Sequence, residues 1–330
     1  MKKTIKSLLV TTGILSATLA AATFAYHETS KKLMKLALHR ETPRENMMTN
    51  KGREILTGSK ELSNILNSLM ESSEKLEKSE TELVEITSHD GIRLVGHLRP
   101  AKEPKRMIIA VHGWRSKWST DFGAISDFYY NNGCTVLYVE QRAQGESGGD
   151  YMGFGLLERF DVYEWIKWAD ENNPNRLPIY LAGISMGASA VLMASSFDLP
   201  ESICGIMADC GFTSPYAIWK HVAENNLHLP YSIYSNAIND YCKKNLQLAP
   251  DSYSCPEALK QCRVPVIFVH GTDDKFVPIE MTYENYKACA SPKRLFIVPG
   301  AEHGTSYLVD REGYEETILE FWKDNDATIL

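Results

Sequence analysis

The sequence predicts an α/β protein: a mostly parallel sheet with helices on both faces and a helical insertion over one end. Three observations predict it. Short apolar runs without polar alternation recur from Met107 onward, the pattern of strands buried on both faces. Segments of helical spacing lie between them. Strand and helix alternating in this way imply right-handed βαβ crossovers. The 330 residues accommodate one such domain of roughly 250 residues once the N-terminus is set aside.

The chain opens with Lys2, Lys3 and Lys6, followed by an uncharged apolar stretch from Leu8 to Tyr26. That length is near the lower limit for a helix crossing a ~30 Å hydrocarbon core. Residues 1–26 are therefore expected to be a transmembrane anchor. The alternative is a cleaved signal peptide, with Ala20-Ala21-Ala22 or Thr23-Phe24-Ala25 as small-residue cleavage sites. The dibasic start favours an N-terminus inside and a domain outside the cell membrane, and a cleaved signal would make the protein secreted. Residues 27–80 are rich in lysine and glutamate. Ile55, Leu62, Ile65, Leu66, Leu69 and Leu76 fall near helical spacing, which predicts an amphipathic helix in a stalk or laid against the domain.

The folded domain is expected over residues 81–330. Leu83–Thr87 and Ile92–Leu98 read as strands joined by the turn residues His89-Asp90-Gly91. The buried runs are Met107–Val111, Thr135–Val139, Ile179–Ala182, Gly205–Ala208, Val264–Val269 and Arg294–Val298. The intervening helices are Asp121–Asn131, Leu156–Asp170, Met186–Ser195, Ile279–Ala290 and Gly313–Lys323. Residues 212–262 break the alternation and are expected to form the helical lid, with Tyr216, Trp219, Tyr231 and Tyr234 available to shape a pocket.

A formal net charge of -7 argues against nucleic acid as a partner. The seven cysteines form no Cys-x-x-Cys pair, so neither a zinc site nor a thioredoxin-like motif is expected. In an exported domain a disulfide among Cys242, Cys255 and Cys262 is one expectation and buried free thiols the other.

Chemistry concentrates at three loops. Gly183-Ile184-Ser185-Met186-Gly187 has the Gly-x-Ser-x-Gly spacing of a strained strand-to-helix turn that lifts a serine hydroxyl to the sheet edge. Gly145-Glu146-Ser147-Gly148-Gly149 has the same spacing, but no apolar helix follows it, so Ser185 is the predicted nucleophile and Ser147 a decoy. A serine hydroxyl needs an adjacent base. His303, in the glycine-bounded loop after Arg294–Val298, is the candidate. The acid that orients it is expected after Val264–Val269, at Asp274, with Asp273 and Asp209 as alternatives. The backbone N–H groups of Trp114, after His112-Gly113, and of Met186 are the expected oxyanion donors, with His112 as a structural histidine.

Together, Val111-His112-Gly113, Gly183-x-Ser185-x-Gly187, His270-Gly271-x-x-Asp274-x-x-Val277-Pro278 and Glu302-His303-Gly304 resemble the α/β-hydrolase superfamily. Glu140-x-Arg142-x-x-Gly145-x-Ser147 is similar to that family's Asp-x-Arg-Gly-x-Gly-x-Ser segment, departing from it at Glu140 and Ala143. The resemblance covers about Glu82 to Trp322. Within the superfamily it looks most like the serine aminopeptidase and monoglyceride lipase-like branch and like bacterial membrane-anchored cell-surface hydrolases. It implies an eight-stranded sheet, acyl transfer from a small-molecule substrate to water, and neither metal nor organic cofactor. The expected function is a serine hydrolase acting on a carboxylic ester. Alternatives are a peptidase or amidase using the same residues, and a non-catalytic surface binding module.

Overall fold

The structure, a computed structural model, describes residues 26, 28–40 and 60–326. Apart from Tyr26, the apolar run Leu8–Tyr26 lies outside the described residues, as does Ile55. Among the described residues no helix is long and apolar enough to cross a membrane.

The strands are β1 (Glu82–Thr87), β2 (Arg93–Arg99), β3 (Arg106–Val111), β4 (Cys134–Glu140), β5 (Ile179–Ile184), β6 (Ile203–Asp209), β7 (Val266–Gly271) and β8 (Lys293–Val298). They form one eight-stranded sheet in the order β1-β2-β4-β3-β5-β6-β7-β8. β2 pairs antiparallel with both β1 and β4, and every later pairing is parallel. The expected mostly parallel sheet is thus the observed one.

The unbroken apolar runs have a direct cause. Successive side chains of a strand point to opposite faces, and here both faces are covered. Ile109 and Val111 of β3 enter a core with Leu137, Leu181, Trp165 and Val191. Ile108 and Ala110 enter the opposite core with Tyr138, Tyr180, Phe321 and Trp322. Every residue of β3, β4, β6 and β7 is buried.

The helices are α1 (Lys60–Glu77), α2 (Trp118–Phe122), α3 (Ser126–Asn131), α4 (Glu158–Glu171), α5 (Met186–Ala194), α6 (Pro215–His221), α7 (Tyr231–Asn245), α8 (Cys255–Leu259), α9 (Ile279–Ala288), α10 (Ser306–Val309) and α11 (Arg311–Asn325). A π-helical turn, Val222–Asn226, extends α6. The expected single helix Asp121–Asn131 is two, α2 and α3, with Gly123 at the break. A Cβ at Gly123 would lie 2.7 Å from the Ser72 carbonyl carbon, so the close approach of α1 requires glycine there. α1 lies against α2, with Leu76 buried and Ser73 Oγ 3.0 Å from Ser119 Oγ.

The helical insertion is shorter than residues 212–262. Cys255 N–H donates to Thr213 O at 2.7 Å, closing the excursion at its base. Cys255 and Leu259 of α8 then belong to the core beneath α5, so only α6, the π-turn and α7 stand over the sheet. All seven cysteines are unpaired and buried, so of the two expectations the structure shows buried free thiols and not a disulfide among Cys242, Cys255 and Cys262. Cys242 sits in the lid cluster while Cys255 and Cys262 lie in the core below.

Candidate active site

The site lies at the carboxyl ends of β3, β5, β7 and β8. Ser185 sits between β5 and α5 with φ 56 and ψ -116, a left-handed conformation that costs a non-glycine residue strain. Neighbouring packing imposes it. A Cβ at Gly187 would be 2.0 Å from Val111 O, and one at Gly183 would be 2.5 Å from Gly187 O. Only glycines let α5 start this close to β3 and β5. Ser185 N–H donates to Asp209 O at 2.9 Å, which fixes the turn from below.

His303 projects from the loop after β8. Its Nε2 lies 2.9 Å from Ser185 Oγ and its Nδ1 lies 2.7 Å from Asp274 Oδ2. Three side chains distant in sequence therefore form one hydrogen-bonded chain. With Nδ1–H donating to the carboxylate, Nε2 is left as acceptor for the serine proton.

Asp274 is the buried one of the two adjacent aspartates. Its Oδ1 accepts the N–H groups of Phe276 and Val277, each at 2.9 Å. His270 Nε2 lies 3.2 Å from its Oδ2 and 2.9 Å from Val277 O. Burial alone would push the Asp274 carboxyl up. Hydrogen bonds from His270, His303 and Val277, with the charge of His303, outweigh burial and hold it well below the ordinary range. The site thus keeps a carboxylate ionised opposite the imidazole. Asp273 instead is exposed and accepts the Thr272 hydroxyl at 2.8 Å.

Asp209 does not reach His303. Its carboxyl accepts hydroxyls from Ser306 and Tyr314, both at 3.2 Å, bracing α10 and α11. Burial raises its pKa. The decoy Ser147 is fully buried. Its hydroxyl donates to Glu140 O at 2.7 Å and accepts Val95 N–H at 2.9 Å, tying the loop to β2 and β4. The rest of that loop is also structural. Arg142 is buried between Asp161, at 2.6 Å, and Asp90, at 2.9 Å. A Cβ at Gly145 would strike Glu140 Oε2 at 2.1 Å.

The turn after β3 faces Ser185: a Cβ on Gly113 would be 3.3 Å from Ser185 Cβ. Among the described residues neither Trp114 N–H nor Met186 N–H has an acceptor, so both amides are free beside the serine. His112 is buried, with Nδ1 2.8 Å from Gly113 O and Nε2 accepting Gln141 N–H at 3.3 Å. Asp121, which sequence reasoning did not single out, accepts Gly113 N–H at 2.6 Å and the Ser116 hydroxyl. It braces the turn from α2, and its only sequence signal is a carboxylate in the first turn of a helix. Phe276 meets the His303 ring edge to face at 5.1 Å, and the Trp114 ring stacks on Phe276 at 6.5 Å.

Among the described residues, two groups of side chains offer ligand atoms within 4.8 Å of one another, Cys210–Asp274–His303 and His89–Asp90–Asp161. In the first, Asp274 and His303 are already bonded to each other. In the second, Arg142 occupies both carboxylates.

The lid, Phe154, Phe212, Val277 and Met186 form a third apolar cluster over the serine. Trp219 and Tyr231 are buried in it, while Tyr216 is 40% exposed.

An eight-stranded, mostly parallel sheet with a serine on a strained turn at its carboxyl edge is the α/β-hydrolase fold. No protein-family profile matches the chain. It is 28% identical over 262 residues to the uncharacterized protein YqkD of Bacillus subtilis, covering 77% of this chain and 84% of that protein. Among solved structures, it is similar to the Pyrococcus furiosus esterase Pf2001, with 26% identity and a TM-score of 0.60 over 75% of this chain and 94% of that one. It also shares its fold with the α/β hydrolase GrgF of a Penicillium species, at 20% identity and TM-score 0.60 over 76% of this chain and 100% of that one. The likeness to the esterase Pf2001 supports a hydrolase function.

Proposed function

We propose that this chain is a serine hydrolase that transfers the acyl group of a carboxylic ester to water. The carrying observation is the unbroken relay from Ser185 Oγ through His303 to Asp274, at 2.9 and 2.7 Å. Ser185 Oγ attacks the ester carbonyl as His303 Nε2 takes its proton, and Asp274 stabilises the imidazolium. The oxyanion is met by the N–H groups of Trp114 and Met186. His303 then returns the proton to the leaving alkoxide, forming an acyl-serine and an alcohol. Water attacks the acyl-serine with His303 as base, releasing the acid and restoring the hydroxyl. The similarity to the solved structure of the esterase Pf2001 supports the ester reading over an amide one, as does the easier departure of an alkoxide than of an amine.

A fluorophosphonate probe should add one adduct, at Ser185, and Ser185→Ala should abolish both labelling and ester turnover. Failure of the folded parent to label would favour a non-catalytic binding role. Turnover of aminoacyl anilides without turnover of acyl esters would make the chain a peptidase. We further propose, from Lys2, Lys3 and the apolar run Leu8–Tyr26, that residues 1–26 anchor the chain in the cell membrane with the domain outside. Protease treatment of intact cells should then degrade the domain, and its protection would reverse that orientation.

A further inference from the structure

The segment 28–40 lies across the candidate site. Helical from 28 to 38, it buries Met34 and Leu38 in the lid cluster with Phe154, Met186, Phe212 and Trp219. At the end of the helix Met152 N–H donates to Leu38 O at 2.7 Å, and beyond it Arg40 N–H donates to Asp150 O at 3.0 Å. The Arg40 guanidinium donates to Gly145 O at 2.6 Å and to Ser147 O. His39 Nε2 lies 2.7 Å from the Tyr241 hydroxyl of α7.

Its tightest link is to the turn that carries the expected oxyanion donor. Trp114 Nε1–H donates to Ala37 O at 2.8 Å. Arg115 donates through Nε to Leu36 O at 3.1 Å, and through Nη2 to Leu36 O at 2.8 Å and His39 O at 2.5 Å. The Leu36 and Ala37 carbonyls end a helix, where they lack intrahelical donors and carry partial negative charge. A guanidinium fork suits them better than a point charge would. Arg115 itself stands at φ 52, a left-handed conformation that its own residue type disfavours. The backbone at 114–115 is therefore held from outside, and the residues holding it belong to a segment remote in sequence.

We propose that Arg115 is a positioning residue for the oxyanion hole. By gripping the carbonyl end of helix 28–38 it fixes the peptide plane that aims Trp114 N–H at the carbonyl under attack. This rests on the reading of Ser185 as nucleophile and Trp114 N–H as an oxyanion donor. The segment following the apolar N-terminus then helps set the rate of the site, beyond connecting it to that run.

The test uses the full-length chain, p-nitrophenyl butyrate as substrate and phenylboronic acid as a probe that forms a tetrahedral adduct on serine. In Arg115→Ala, kcat should fall about tenfold, a fraction of the 10²–10³ typical of losing a whole oxyanion donor. KM should stay within about twofold, and the boronate Ki should rise by the same factor as kcat falls. Arg115→Lys should recover part of the loss. If Arg115→Ala does not fold, Arg115→Lys should show a smaller loss of the same kind, in kcat and boronate Ki together, and so should Trp114→Phe, which deletes only the indole donor. Folded variants with parental kcat and parental boronate Ki overturn the proposal. So does a kcat loss that leaves the boronate Ki unmoved. A parent without Ser185-dependent turnover brings down the hydrolase reading, and this one with it.

Discussion

Replacing Asp274 by asparagine removes one charge from a buried position while conserving shape. The carboxylate faces His303 Nδ1 at 2.7 Å, and its side chain is fully shielded from water while that of His303 is 27% exposed. In the transition state of the proposed reaction the imidazole carries a positive charge. With charge centres ~4 Å apart and an effective dielectric of ~20, the attraction lost is about 4 kcal/mol, or about 10³ in rate. An asparagine that turns its amide nitrogen towards Nδ1 would also favour the wrong tautomer, bringing the loss to about 10⁴. The assay is kcat on a p-nitrophenyl ester, with fluorophosphonate labelling as active-site titration. A folded Asp274→Asn enzyme with kcat within tenfold of the parent would refute the reasoning, because among the described residues no other carboxylate hydrogen-bonds His303. The same group predicts an acid limb of stability. Its folded pKa is depressed below its ordinary value of 3.8, so its contribution is present above about pH 4 and lost as pH falls below it. Asp274→Asn should flatten that limb in denaturant melts at low pH.

Three further outcomes follow from neighbouring contacts. Asp209→Asn should keep kcat within about threefold, since Asp209 bonds Ser306 and Tyr314 and not His303. Its folded pKa is raised, so in the parent this carboxyl loses stability as pH rises above its unfolded value, and the variant should be spared that loss. Asp121→Ala frees Gly113 N–H, held at 2.6 Å, and should lower kcat about tenfold with KM little changed, as read by initial rates. Gly187→Ala places a Cβ 2.0 Å from Val111 O, a backbone atom that cannot swing aside, and should cost about 3 kcal/mol. That corresponds to a Tm lowered by about 6–12 °C in calorimetry, and an unchanged Tm would contradict the packing of α5 on β3.

Much of the architecture is written locally, and the reason is burial. Ile108 and Ala110 face one core and Ile109 and Val111 the other, so β3 must be apolar along its whole length. The elbow is legible for a similar reason: Gly183 and Gly187 answer steric demands set within a few residues of Ser185. Their spacing also marked Ser147, and only its strand-and-helix context, not its motif, told the two apart.

What the sequence by itself determined is the order of strands and helices, the turn bearing Ser185, and the loops holding His303 and the paired aspartates. The tertiary structure alone decided which member of Asp273-Asp274 turns inward, because that depends on where His270, Phe276 N–H and Val277 N–H converge. It alone split the helix at Gly123, where α1 arrives from residues some fifty positions earlier in the chain. It alone disclosed Asp121 beneath the Gly113 turn and brought residues 28–40 onto Trp114 and Arg115. Such contacts join side chains and carbonyls of no periodic pattern across long stretches of chain, and only the folded geometry specifies them.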